Sequence, residues 1–271
     1  MDKYAVFGNP IKQSKSPVIH TQFAKQTNQA MQYEAILAPI DGFEQSLSEF
    51  IEAGGQGANI TVPFKEQAFL LCDDLSPEAQ QAGAVNTIMV KADGSLYGHN
   101  TDGLGLVSDL TKSKVQLAGK HILLLGAGGA AKGVLLPLIN QKPASITIVN
   151  RTQEKAMALA DQFKALFSID VKTIDELDTA YDVVINSTAA SLSGQAIELP
   201  EASFNAKTVC YDMMYSKEAT PFNAWAKTHG MQTIDGLGML INQAAYSFEL
   251  WREQMPTTDE IENLLNKELG R

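Results

Sequence analysis

Short apolar runs alternate along this chain with segments whose apolar positions recur at helical spacing. Residues 4–8 predict a strand. Ser16-Pro17 then offers an N-cap followed by proline at the first helical position, so a helix is expected from there to about residue 28. Residues 33–38 predict a second strand, and residues 42–53 a helix with Phe43, Leu47, Phe50 and Ile51 on one face. A third strand is expected over 57–62, ended by Pro63, with a helix from about residue 65 to 72. Ser76-Pro77 repeats the cap-and-proline signal. Residues 86–90 and 95–98 flank Ala92-Asp93-Gly94, the pattern of a hairpin turn.

A cleaner pattern starts near Gly119. Residues 121–125 are a continuous apolar run, suited to a strand buried on both faces. A glycine-rich turn and a helix to about Asn140 follow, then a strand at 145–149, a helix at 153–165, and strands at 182–186 and 208–211. Repetition of this kind predicts a parallel twisted sheet with helices on both faces, so the fold class is α/β. Two helices close the chain, at about 237–254 and 258–269. Thr257 and Thr258 can cap the second, with Glu260 and Glu262 in its first turns.

Composition then removes whole classes of function. The chain has 271 residues with 21 Lys+Arg against 31 Asp+Glu, a net charge of −10. That balance argues against nucleic acid and against anionic membrane surfaces as partners. No apolar run approaches the ~20 residues that span a bilayer. The N-terminus lacks a basic stretch before a long apolar one, so a cytoplasmic protein with reduced thiols at Cys72 and Cys210 is expected. His20, His99, His121 and His229 stand apart without Cys or His at ligand spacing, and no metal is expected. Without a heptad seam, the sequence leaves a homodimer open.

Gly126-Ala127-Gly128-Gly129-Ala130-Ala131 lies between a predicted strand and a predicted helix and fits G-x-G-x-x-(G/A). Gly126 permits the tight turn, Gly128 lets backbone approach a pyrophosphate, and Ala131 allows close helix–strand packing. The helix start presents free N–H groups and the positive end of its dipole to phosphate. A purely structural glycine turn is the plainer alternative. The next strand ends in Asn150-Arg151-Thr152, with Lys155 soon after, where an NAD enzyme usually places a carboxylate for the ribose. A guanidinium binds a 2′-phosphate that a carboxylate would repel, so NADP(H) is the inferred cofactor. Otherwise Arg151 is a solvated charge at a strand end.

A second constellation gathers in the first half. Ser14 and Ser16 follow the first strand. Asn59 and Thr61 alternate with Ile60 and Val62 and so share a strand face. Lys65 comes where a helix begins, and a cation there opposes the helix dipole, so stabilisation of the helix explains it poorly. Asn86 starts another strand, and Asp102 sits at the crossing between the halves. Each has an ordinary reading as a cap or a strand-edge group. Their convergence at the carboxyl ends of strands points to a ligand.

Taken in order, these motifs resemble the shikimate dehydrogenase family of the NADP-dependent bacterial biosynthetic type. They are Val6-Phe-Gly-Asn-Pro-Ile11, Ser14-Lys-Ser-Pro-Val-Ile-His20, Gly57-Ala-Asn-Ile-Thr-Val-Pro-Phe-Lys65, Ala82-Gly-Ala-Val-Asn-Thr87, Asn100-Thr-Asp-Gly103, the glycine turn, Asn150-Arg-Thr152, Tyr211-Asp-Met-Met-Tyr215, and Asp235-Gly-Leu-Gly-Met-Leu240 with Gln243. The resemblance implies two α/β domains with the active site in the cleft between them. A substrate domain would take residues 1–101 and the C-terminal helices 238–271, and a Rossmann-like NADP-binding domain residues 102–237. It implies reversible, NADPH-dependent reduction of 3-dehydroshikimate to shikimate, in the route to aromatic amino acids. Lys65 and Asp102 would be the catalytic pair. Ser14 and Ser16 would hold the substrate carboxylate, with Asn59, Thr61, Asn86, Tyr215 and Gln243 completing its site. Gly126–Ala130, Asn150, Arg151, Thr152, Lys155, Thr188, Met213 and Gly236 would hold the cofactor.

Three departures from the family pattern leave side-chain contacts open: Ala189-Ala190, Pro77, and Lys155 in place of a frequent arginine. A broader quinate/shikimate dehydrogenase and a catalytically silent NADP-binding regulator are the competing expectations. Ser14, Ser16 and Arg151 argue against the first, and the Lys65–Asp102 combination against the second.

Overall fold

The computed structural model describes residues 1–271, which divide into two compact units. The first contains Met1–Gly105 and Ile241–Leu264, and the second Leu106–Leu240 and Leu265–Arg271. The last residues thus group with the second unit, where Arg271 bonds Asp235 and the carbonyl of Ser216, rather than with the first as the sequence suggests.

In the first unit β1 (Asp2–Gly8) pairs in parallel with β2 (Met31–Leu37) and β3 (Gly55–Ile60), joined by α1 (Ser16–Gln26) and α2 (Phe43–Glu52). After α3 (Lys65–Leu71), β4 (Asp74–Leu75) and α4 (Pro77–Ala82), the strands β5 (Thr87–Val90) and β6 (Leu96–His99) form the expected hairpin. The sheet order is β2-β1-β3-β5-β6-β4. It is mixed rather than wholly parallel, because β5 runs antiparallel to both β3 and β6. Phe7 meets Phe43 and Phe50 edge-on, and Phe43 stacks on Phe64 at 4.8 Å, sealing α2 and α3 onto the sheet.

Two local expectations change. Lys15 already has helical dihedrals and Ser16 is the first helical residue, with no side-chain cap bond from the residue before it. The Ser16 amide is instead bonded by the Ser14 hydroxyl at 3.3 Å, so the hydroxyl of Ser16 is not a cap. Strand β3 ends at Ile60: the Thr61 amide still donates to Phe7 of β1, and the Phe64 amide then closes a turn on the Thr61 carbonyl. Thr61 therefore lies one residue past the end of the strand.

The second unit begins within α5 (Asp102–Lys112). It contains β7 (His121–Leu125), α6 (Gly129–Asn140), β8 (Ser145–Val149), α7 (Gln153–Phe163), β9 (Ile169–Lys172), β10 (Val183–Asn186), β11 (Val209–Asp212), α8 (Pro221–Thr228) and β12 (Gln232–Asp235). All its pairings are parallel, in the order β12-β11-β10-β7-β8-β9. This is the doubly wound arrangement, whose strand order reverses between β7 and β10, where ligands bind outside the carboxyl ends. Leu123 and Leu124 are fully buried on opposite faces of β7. That is why the run reads as continuously apolar.

The chain closes with α9 (Leu237–Arg252) and α10 (Asp259–Leu269). The part of α9 in the first unit is fixed by Trp251, whose indole donates to the Ile88 carbonyl at 2.9 Å, and by Arg252, which bonds Asp2 and Gln29. Gly57 is required beneath that indole, because a Cβ there would lie 2.6 Å from Nε1.

Candidate active site

The polar residues of the first unit form one connected network at the carboxyl ends of its strands. Lys65, the first residue of α3, places Nζ 2.6 Å from Oδ2 of Asp102, the first residue of α5. The other oxygen of Asp102 accepts from Asn86 Nδ2 at 2.8 Å. One carboxylate thus orients an ammonium and an amide together, and the ammonium keeps donor capacity for a third group. Lys65 and Asp102 are partly exposed, at 29% and 15% of their side chains, so a ligand can reach them.

Asn86 is buried and ties the pair to the scaffold. Its Oδ1 accepts from the Thr101 amide at 3.0 Å and the Thr87 hydroxyl at 2.8 Å, and its Nδ2 also reaches Thr101 Oγ1 and Gln243 Oε1. Asn59, only 6% exposed, is fully engaged. Its Nδ2 approaches the Asn86 carbonyl, Thr87 and Ser247, and its Oδ1 accepts from the Tyr33 hydroxyl at 2.7 Å. This places Asn59 beneath the exposed pair, as support. Satisfied networks of this kind fix a single geometry.

Behind Tyr33 the ring of His20 stacks at 4.3 Å and 9°, with Phe23, Phe248 and Trp251 around it. Neither His20 nitrogen has a hydrogen-bond partner, and burial pushes its pKa down to about 3 despite an opposing effect from Asn59. Burial raises the Tyr33 hydroxyl well above its ordinary value, opposed by a hydrogen bond to Ser16. Ser14, half-buried, adjoins Ser16 through its hydroxyl. Thr61 lies against Gly8, where a Cβ would fall 2.5 Å from Thr61 Cγ2.

In the second unit the switch point is built from the ends of β7, β10, β11 and β12. Register aligns Leu125 with Asn186, Asn186 with Asp212, and Asp212 with Asp235. Gly126 follows β7 with φ +106°, a conformation only glycine adopts readily. Its amide donates to the Val149 carbonyl, which ties the turn after β7 to the end of β8. Gly128 caps α6, and a Cβ on Gly128 or Gly129 would meet nothing within 4 Å. Free space over the N-terminus of a 12-residue helix fits the diphosphate of a dinucleotide. Ala131 is fully buried against the sheet. Arg151, Thr152 and Lys155 are exposed after β8, and Asn150 Nδ2 shapes their turn by donating to the Thr152 carbonyl. Thr188 follows β10, bonded through Asn186. Gly236 lies against Met213, whose carbonyl oxygen would be 2.0 Å from any Cβ there.

Of the residues singled out from sequence, Ser14, Ser16, Asn59, Thr61, Lys65, Asn86, Asp102 and Gln243 fall in the first unit. Tyr215 and the cofactor set fall in the second. Three supporting residues were missed: Tyr33, Ser247 and Asp212. Ser247 stands four residues after Gln243 on α9, a spacing that places both on one helix face.

A parallel doubly wound sheet with a glycine cradle, in a chain that also carries an ammonium–carboxylate pair, defines a nicotinamide-dependent dehydrogenase. Family models agree over three successive stretches. They are the shikimate dehydrogenase substrate binding domain over residues 6–88, shikimate/quinate 5-dehydrogenase over 109–203, and the shikimate 5′-dehydrogenase C-terminal domain over 236–265. A shikimate dehydrogenase (NADP(+)) of Shewanella halifaxensis is 56% identical over 269 residues, covering 99% of this chain and 96% of the relative. The shikimate 5-dehydrogenase of Thermus thermophilus, crystallised with NADP(H) and shikimate, gives a TM-score of 0.89 at 32% identity over 99% of this chain and 100% of that one. A ligand-free 5-ketofructose reductase of Gluconobacter also reaches 0.89, at 27% identity over 98% of each chain. The chain belongs to the shikimate dehydrogenase family. No helix is long and apolar enough to cross a membrane.

Proposed function

We propose that this chain reduces 3-dehydroshikimate to shikimate, reversibly and with NADPH, and that Lys65 and Asp102 carry the chemistry. The observation that supports the residue roles is the Lys65–Asp102–Asn86 chain, with contacts of 2.6 and 2.8 Å. Reducing a ketone builds negative charge on its oxygen, and a positioned ammonium is most valuable where that charge develops. Lys65 stabilises the oxygen and holds a proton for it, while Asp102 fixes the ammonium and accepts from a neighbouring ring hydroxyl. When bound, the reduced dinucleotide supplies the hydride. Ser14 and Ser16 hold the substrate carboxylate through their hydroxyls. Asn59, Thr61, Asn86 and Gln243, with Tyr215, set the site for the ring hydroxyls. The cradle at 126–130 and Thr188 hold the diphosphate, and Asn150, Arg151, Thr152 and Lys155 the adenosine 2′-phosphate. Met213 and Gly236 flank the nicotinamide.

The domains would then be 1–101 with the C-terminal helices as far as residue 264 for substrate and 102–237 for NADP, the last residues staying with the NADP unit, in a cytoplasmic enzyme that works without metal or nucleic acid. A homodimer is compatible with this assignment.

A spectrophotometric assay tests it. Purified protein is given shikimate or quinate with NADP or NAD, and absorbance of the reduced cofactor is followed. Turnover is expected with shikimate and NADP. Faster turnover of quinate would move the assignment to the broader dehydrogenase. Cofactor binding without any turnover would make the chain a silent NADP-binding protein.

A further inference from the structure

Asp212, the last residue of β11, is completely buried, yet no cation pairs with it. Four neutral donors converge on its carboxylate. Oδ1 accepts from Asn186 Nδ2 and from the Met214 amide, both at 3.1 Å, and Oδ2 accepts from the hydroxyls of Ser191 and Thr220, both at 2.6 Å. These donors come from the end of β10, the turn after β11, the short helical loop Ala190–Ser193, and the N-cap of α8.

A buried carboxylate is costly unless it is fully bonded. By strand spacing this one lies about 10 Å from β7, which carries the phosphate cradle, where a negative charge is adverse to an anionic ligand. What it provides is geometry. Asn186, bonded to Asp212, uses its own Oδ1 to hold the Thr188 amide and hydroxyl at 3.1 and 2.7 Å, and Thr188 Oγ1 accepts from the Ala190 amide. Ser187 donates to the Leu125 carbonyl at 2.7 Å, and its oxygen lies 2.6 Å from where a Gly126 Cβ would be. The loop 186–191 is thereby pressed against the first glycine of the cradle, and Met213–Met214 are held by the same carboxylate.

We propose that Asp212 is a positioning residue that sets affinity for NADPH by fixing the 186–191 loop, with Ser191 as the outer fastening. The proposal rests on the NADP-dependent activity given above, and turnover by the unaltered protein tests that reading separately.

Asp212→Asn leaves one acceptor oxygen. The amide oxygen is held by two N–H donors that cannot reverse, so the new NH2 faces the hydroxyls of Ser191 and Thr220, which must turn from donors into acceptors and lose their charge-assisted bonds. Ser191→Ala removes one of these contacts outright. Each variant should raise the KM for NADPH at least fivefold, roughly the worth of one hydrogen bond. The KM for shikimate and kcat at saturating cofactor should stay within about twofold. The two effects should be less than additive in the double variant, and Ser191→Thr should restore the normal KM.

An unchanged KM for NADPH in Ser191→Ala would overturn the proposal. So would equal losses toward both substrates with a lowered Tm, because that is the mark of general destabilisation. If Asp212→Asn does not fold, the Ser191 pair decides alone.

Discussion

His20 lets the stability of the first unit be predicted as a function of pH. Its ring is fully buried among Phe23, Tyr33, Phe248 and Trp251, with both nitrogens unbonded. Burial lowers its pKa from 6.5 to about 3. The unfolded chain therefore takes up a proton near neutrality that the folded chain refuses, and stability is lost as pH falls from about 6.5 towards 3. At about pH 5 the unfolded form gains roughly 2 kcal/mol from this one group, at 1.36 kcal/mol for each pH unit below its ordinary value. His20→Phe keeps an aromatic ring in the stack and removes the titration. Urea unfolding followed by Trp251 fluorescence, in a Trp225→Phe background so that only the first unit reports, should be run at about pH 7.5 and pH 5. The stability of His20→Phe relative to its parent should rise by about 2 kcal/mol between the two conditions. Parallel pH dependence in the two proteins would refute the reasoning, since it would mean that His20 is protonated in the folded state or is not buried.

Two substitutions probe the cofactor unit. Arg151→Asp removes the exposed guanidinium after β8 and should weaken NADPH binding by about tenfold or more, with NADH far less affected, because a charge-assisted pair is worth ~1.5–3 kcal/mol. Fluorescence titration with both cofactors checks this, and equal losses would count against a 2′-phosphate role. Gly126→Ala forces a side chain onto φ +106° and to within 2.6 Å of Ser187 Oγ. It should cost ~1–3 kcal/mol of stability and most of the NADPH affinity, read by thermal unfolding with and without cofactor.

Legibility in the sequence followed burial. Strands β7 and β8 end where the apolar runs end, because strands covered on both faces are written continuously. The strands that escaped, β4, β9 and β12, lie at sheet edges or are two residues long, and exposed edges carry little apolar signal. Helix α8 was missed although Thr220-Pro221 repeats the signal read correctly at Ser76-Pro77, where Ser76 does accept from the Ala79 amide. Lys65, Asp102 and Asn86 were readable because each is a polar residue at the end of an element and the structure brings the three together. Tyr33, Ser247 and Asp212 were not, since their roles arise from contacts between distant segments. Asn59 shows the limit of the pattern: its position was evident, but its burial under Tyr33 and Ser247 was not.

The central claim is that the ammonium of Lys65, held by Asp102, carries the reduction. Steady-state reduction of 3-dehydroshikimate by Lys65→Ala, with NADPH binding measured on the same preparation, tests it most directly. Loss of one group that stabilises transition-state charge should lower kcat by about a hundredfold or more while NADPH affinity stays within about twofold. A kcat equal to that of the unaltered protein would contradict the account.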